Sequence, residues 1–143
     1  MIVKIVPYKK EHVELMNLRD HEHVLLHDPN MLGILEGSIA VTAVADGVIV
    51  CCYGINPYLD GVADIWLLPS IYVEEKHGMA VARGAREFLA NMKEDLGLRR
   101  METTCLADDL HDRWMTFLGF EKEGTKKQYY GGKDYHVWGK LWE

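Results

Sequence analysis

The stretch EEKHGMAVARGAREFL, Glu74 to Leu89, decides the fold. Ahead of it stands VADIWLLP, Val62 to Pro69, an apolar strand-like run closed by a proline. Through and beyond it, Met79, Ala82, Ala85, Leu89, Met92 and Leu96 recur at helical spacing, and Gly97 supplies a stop. LRRMETTCL then reads as a strand leaving the helix. Strand, long helix and strand make a βαβ unit, with a right-handed crossover and parallel strands. Two glycines in this helix call for a reason, since each costs about 1 kcal/mol relative to Ala in a helix interior. Gly78, near the front, suits either a phosphate approaching free backbone N–H groups or close packing. Gly84 lies too far along for a phosphate and, with Ala80 one turn before it, points to close helix–sheet packing.

Working outward, IVKIVPY predicts a strand over Ile2–Val6, and KKEHVELMNLRDHEHVLL a helix through Val13, Met16 and Leu18. HDPNMLGILEGS predicts a short helix, with Asp28 as N-cap, Pro29 in its first turn and Gly37 as its end. Strands over Ile39–Ala45 and Val48–Ile55 meet at Asp46-Gly47, a strong hairpin signal. NPYLDG reads as a loop. After the βαβ unit, ADDLHDRWMTFLG predicts a helix from Asp108 or Asp109 to Gly119. FEKEGTKKQYY and YHVWGKLW close the chain as two strands joined around Gly131-Gly132. The expected fold is α/β: one domain over residues 1–143, a single mixed and mostly antiparallel sheet, a central parallel βαβ unit, and helices on both faces.

A net charge of −6 argues against a nucleic-acid partner bound through a general basic surface, and Arg99-Arg100 and Lys126-Lys127 read as solvated charge. Cys51, Cys52 and Cys105 are odd in number and lack CxxC spacing, so buried, reduced thiols of a cytosolic protein are expected. MIVKIVPYKK does not read as a signal peptide, and no apolar run approaches the ~20 residues of a membrane span, so no membrane partner and a cytoplasmic location are expected. His23 and His27 would share a helical face, but with no HExxH and no third ligand they imply no metal.

The order of elements resembles the GNAT superfamily of acetyl-coenzyme A-dependent N-acetyltransferases over nearly the whole chain. Its clearest local carriers are IVPYKKEHVELM and DDLHDRWMTFLGFEKEG, the latter with Leu118-Gly119-Phe120 closing the last helix. A narrower resemblance is to acetyltransferase-like proteins of tailed bacteriophages, the internal virion protein A group. It rests on IWLLPS, on NLRDHEHVLL and on His111, Arg113, Trp114 and Gly119. That branch implies a host-cytoplasm or virion location and virion proteins as partners.

The superfamily resemblance implies acetyl-coenzyme A as co-substrate and a primary amine of a small molecule or protein as acceptor, attacked directly. Many relatives dimerise through edge strands, so the resemblance leaves a homodimer open, while the sequence does not tell the oligomeric state. The two parallel strands would part to admit the pantetheine arm, pairing it with backbone at Leu67 and Leu68. The pyrophosphate would meet N–H groups at Gly78, Met79 and Ala80, where the helix dipole favours an anion. Glu75 stands where the family carries Gln or Arg, leaving Lys76 and His77 to supply positive charge. A groove filled by Trp66 or Met79 would instead mark a protein that kept the fold and lost catalysis, a binding or virion-associated module.

For chemistry, the resemblance points to Asp64 as base, with Glu102 on the neighbouring strand as alternative. Met115 occupies the place of the family's acidic tyrosine, and Asp108 that of an asparagine contacting the cofactor. His111, one turn before Met115, is the substitute proton carrier, or else a histidine bonding the helix start. Arg113 reads as approaching the 3′-phosphate or lying on a solvated face, Trp114 as core, and Tyr129 or Tyr130 as further acids.

Overall fold

Among the described residues these elements follow one another: β1 (Val3–Pro7), α1 (Lys10–Leu15), β2 (Ile39–Ala45), β3 (Val48–Leu59), β4 (Val62–Pro69), α2 (Gly78–Leu96), β5 (Arg100–Leu106), α3 (Asp109–Phe117), β6 (Glu121–Tyr130) and β7 (Lys133–Leu141). They belong to a computed structural model that describes residues 3–16, 35, 38–71, 73 and 78–142. The strands form one seven-stranded sheet in the order β1-β2-β3-β4-β5-β7-β6, and β4 and β5 run parallel, as the βαβ reading requires. The chain divides into two compact units, Met1–Asn56 with Trp66–Gly84, and Pro57–Ile65 with Ala85–Glu143.

In the first unit, β1, β2 and β3 form an antiparallel meander, from Val3↔Ala45 to Ile39↔Ile55. Asp46 and Gly47 both take positive φ, 52° and 75°, the mirror-image turn that suits the right-handed twist of a two-residue hairpin. Val13 and Met16 pack with Leu35, Cys52 and Leu68, and Tyr8, Ile49 and Trp66 lie against that cluster. Met16 takes ψ 139° and ends α1, while still burying its side chain. His12 ties α1 down, its Nδ1 accepting from the Lys9 N–H at 3.1 Å and lying 2.7 Å from Thr42 Oγ1. Leu18, the helix read over Asp28–Gly37 (Leu35 apart), and His23 and His27 lie outside the described residues.

In the second unit, β5, β7 and β6 are antiparallel, with β7 central to the three. α3 buries Leu110, His111, Trp114 and Met115, and Leu118 and Phe120 follow them into the interior. Trp114 is therefore core, as read from the sequence. Trp138 from β7 is 4% exposed, one of the large side chains this unit withdraws from water.

One expected loop is a strand. β3 continues through Asn56-Pro57-Tyr58-Leu59, leaving only Asp60-Gly61 as a turn, with Gly61 at φ 74°. This second Asp-Gly pair repeats the signal of the first, and Pro57 hid it, because a proline lowers any strand reading. The turn also fixes the parallel register. The Gly61 carbonyl accepts from Arg99 N–H at 2.9 Å and Arg100 N–H at 3.1 Å, and Arg99 Nη1 donates to the Asp60 carbonyl at 2.7 Å. Val62 is thereby set opposite Arg100.

Candidate active site

The parallel register of β4 and β5 covers Val62↔Arg100, Ala63↔Met101 and Asp64↔Glu102. Past it the Thr103 hydroxyl donates to the Ile65 carbonyl at 2.8 Å, a side chain standing where the strand ladder would continue. β4 itself runs on to Pro69. Asp64 and Glu102, the two carboxylates singled out as bases, are thus brought side by side at the end of the ladder.

Their surroundings treat them differently. Burial, and then the charge of Glu102, push the Asp64 carboxyl up to about 7, while Lys126 acts in the opposite sense. Glu102 receives donors: Arg100 Nε at 3.0 Å and the Tyr58 phenol. Partial desolvation and that bond to Glu102 raise the Tyr58 phenol above its usual value. The rest of the Arg100 guanidinium forks onto Glu123, Nη1 to Oε2 at 3.0 Å and Nη2 to Oε1 at 2.6 Å. Bidentate pairs of this kind are the strong ones.

Asp108 and His111 form a second cluster. Asp108 is the N-cap of α3, and its Oδ1 accepts from the His111 N–H at 2.9 Å and lies 2.7 Å from His111 Nδ1. One carboxylate thus satisfies a free helix N–H and fixes the imidazole, which is 8% exposed. It is the His111 N–H, not the ring, that takes part in the cap; the ring meets a side-chain carboxylate. Met115 is buried, so a thioether fills the place expected of an acid. Arg113 lies exposed on α3 with Nε 3.4 Å from the Asp109 carbonyl. Tyr129 is exposed, its ring edge-on to Tyr135 at 5.5 Å and under Lys126 Nζ at 4.5 Å. Tyr130 is half-buried at the end of β6.

Of the residues expected to hold the cofactor, Leu67 is half-buried and Leu68 buried near the end of β4. Gly78, Met79 and Ala80 form the first turn of α2, with Met79 54% exposed. A Cβ on Gly78 would sit 2.8 Å from the Val73 carbonyl oxygen, so close packing by itself explains this glycine. Gly84 reverses its expectation. A Cβ there would meet Tyr53 Oη at 3.5 Å, an ordinary contact, so close packing does not require a glycine at that position. Glu75, Lys76 and His77 lie outside the described residues. Trp66 is committed to its own sheet: Nε1 donates to Ser38 Oγ at 2.8 Å, the ring meets Tyr8 edge-on at 5.6 Å, and its indole lies on the bare backbone of Gly54.

Arg100, Glu123 and Tyr58 carry no sequence signal that links them to Asp64. Glu123 lies 59 positions from Asp64 in a strand of alternating charges, and only strand order and register make the connection. Among the described residues no group of three or more His, Cys, Asp or Glu side chains is placed to hold a metal ion. Nor, among them, is any helix long and apolar enough to cross a membrane.

A mixed sheet with one parallel pair, closed through a long helix, is the GNAT acetyltransferase fold, and solved structures agree. Ard1 from Thermoplasma volcanium superposes with a TM-score of 0.74 at 15% identity, covering 97% of each chain. YncA, a putative acetyltransferase from Salmonella typhimurium solved with its cofactor acetyl-CoA, gives 0.70 at 14% identity, over 99% of this chain and 94% of that one. A GNAT family acetyltransferase from Elizabethkingia anophelis with acetyl-CoA bound gives 0.68 at 11% identity over 98% of each chain. No family model and no curated protein matches the sequence.

Proposed function

We propose that the protein transfers an acetyl group from acetyl-coenzyme A to a primary amine by direct attack, with Asp64 as general base. The observation that carries this reading is a half-buried carboxyl, raised to about 7, at the point where the parallel ladder ends. A base is most effective when its affinity for protons matches the operating pH, because it is then both available and strong enough to accept.

Acetyl-coenzyme A supplies an acyl group already activated as a thioester. Asp64 takes one proton from the ammonium acceptor, the freed nitrogen forms a C–N bond to the acetyl carbon, and the C–S bond breaks. The nitrogen's second proton passes through water to the leaving thiolate, so no protein acid is needed where Met115 stands. Backbone at Leu67 and Leu68 holds the pantetheine arm. The N–H groups at Gly78, Met79 and Ala80 hold the pyrophosphate. His111 and Asp108 fix the first turn of α3.

Calorimetric titration with acetyl-coenzyme A, followed by turnover on a panel of primary amines, tests the reading. Saturable binding with product formation is expected; no binding at millimolar ligand overturns it. The buried Met115 favours a second reading, a fold kept for binding after loss of catalysis, which predicts a stable protein partner and no turnover.

A further inference from the structure

Glu123 reaches its partner across an intervening strand. Arg100 lies on β5 and Glu123 on β6, with β7 between them in the sheet. Two features open the path. Lys122 pairs with Trp138 and Gly124 with Val137, so Glu123 is the extra residue of a β-bulge, a device that re-aims a side chain. On β7, Gly139 presents no side chain where the carboxylate passes: a Cβ there would lie 2.5 Å from Glu123 Cδ and Oε2. Bulge and glycine together let Glu123 lie over β7 and grip the guanidinium with both oxygens.

The grip has an electrostatic consequence. Arg100 and Glu102, two apart on β5, share a face, and cross-strand pairing puts Glu102 beside Asp64. A free guanidinium on that face would pair with the nearest carboxylates and neutralise them. Glu123 and Glu102 instead occupy it from two sides.

We propose that Glu123 and Glu102 are positioning residues for Asp64: Glu123 holds the Arg100 guanidinium away from it, and Glu102 sets a second carboxylate against it. Among the described residues, Glu102 from β5 and Lys126 from β6 act on Asp64, Tyr58 from β3 interacts with both carboxylates, and Arg100 lies beyond Glu102, bonded to it and to Glu123 from β6. Glu102 acts directly as a like charge, while Glu123 acts only through Arg100. The inference rests on the proposed role of Asp64 for its meaning in catalysis, but not for its test.

That test follows the Asp64 carboxyl carbon by 13C NMR through a pH titration of the full chain, in wild type, Glu102→Gln and Glu123→Gln, each checked for folding by near-UV circular dichroism. Asp64 is expected to titrate well above an ordinary aspartate in wild type. Its midpoint should fall by about one pH unit in Glu102→Gln and by about half a unit in Glu123→Gln, since losing a like charge or freeing a cation both favour the ionised form. A residue that merely braced the sheet would move neither midpoint. An ordinary midpoint in wild type, or an unmoved one in either folded variant, overturns the proposal. Shifted midpoints in a protein that neither binds nor uses acetyl-coenzyme A would sink the transferase reading and leave this one standing.

Discussion

Asp64 and Asp108 carry the same side chain at a similar depth, and their surroundings use it in opposite ways. Asp108 sits ahead of a helix, where an N–H and an imidazole nitrogen converge on one oxygen and the helix dipole favours negative charge. Asp64 sits within a strand, where burial and a neighbouring carboxylate are the main influences on it. The first arrangement uses the carboxylate as a helix cap. The second makes ionisation costly and so prepares the group to accept a proton. Chemistry here comes from what the backbone brings near the residue, and not from the residue type.

The largest effect should come from removing the poised carboxylate. Asp64→Asn is expected to lower kcat/KM for acetyl transfer about 100-fold or more while acetyl-coenzyme A binding is retained, as steady-state kinetics beside calorimetry would show. An equal loss of both would mean that Asp64 binds rather than reacts.

The pH dependence sharpens the contrast. Because the base must be deprotonated, kcat/KM should rise with pH and level off above about 7. Stability runs the other way. The folded state holds this proton more tightly than the unfolded chain, so the associated stability is complete below the unfolded value and is lost as pH rises through the folded one. Asp64→Asn should therefore be more stable than wild type at pH 8, by about 1–2 kcal/mol, in urea denaturation. Wild type and variant with the same stability at both pH 5 and pH 8 would break the comparison.

Asp108→Ala tests the other side. Loss of the cap and of the His111 contact should cost about 1 kcal/mol, read as a lowered Tm, with no gain at alkaline pH. The smallest effect concerns a position with no charge at all. Gly84→Ala should stabilise by about 0.5–1 kcal/mol, because the added methyl meets only an ordinary contact while the helix gains propensity. Gly78→Ala should destabilise, its methyl pressing on the Val73 carbonyl.

Much of the architecture was legible because local signals agreed. Asp46-Gly47 with its flanking β-branched runs, the apolar stripe from Met79 to Leu96, and Asp108 ahead of an apolar helix each encode their element within a few residues. The end of β3 was misread because Pro57 outweighed the second Asp-Gly pair. Gly84 was misread because a glycine in a helix suggests contact, and contact distances are not local information. The candidate base was legible as a carboxylate on the right strand, but nothing near it in sequence announced its surroundings.

By itself the sequence determined most of the described strands and helices, the end of β3 excepted, and that the strands on either side of the long helix run parallel, because period, turn residues and crossover handedness act over short spans. Only the tertiary structure decided that Glu102 falls opposite Asp64 and that Glu123 reaches Arg100 over Gly139. Register sets those meetings, and a slip of one residue would turn every one of these side chains to the other face.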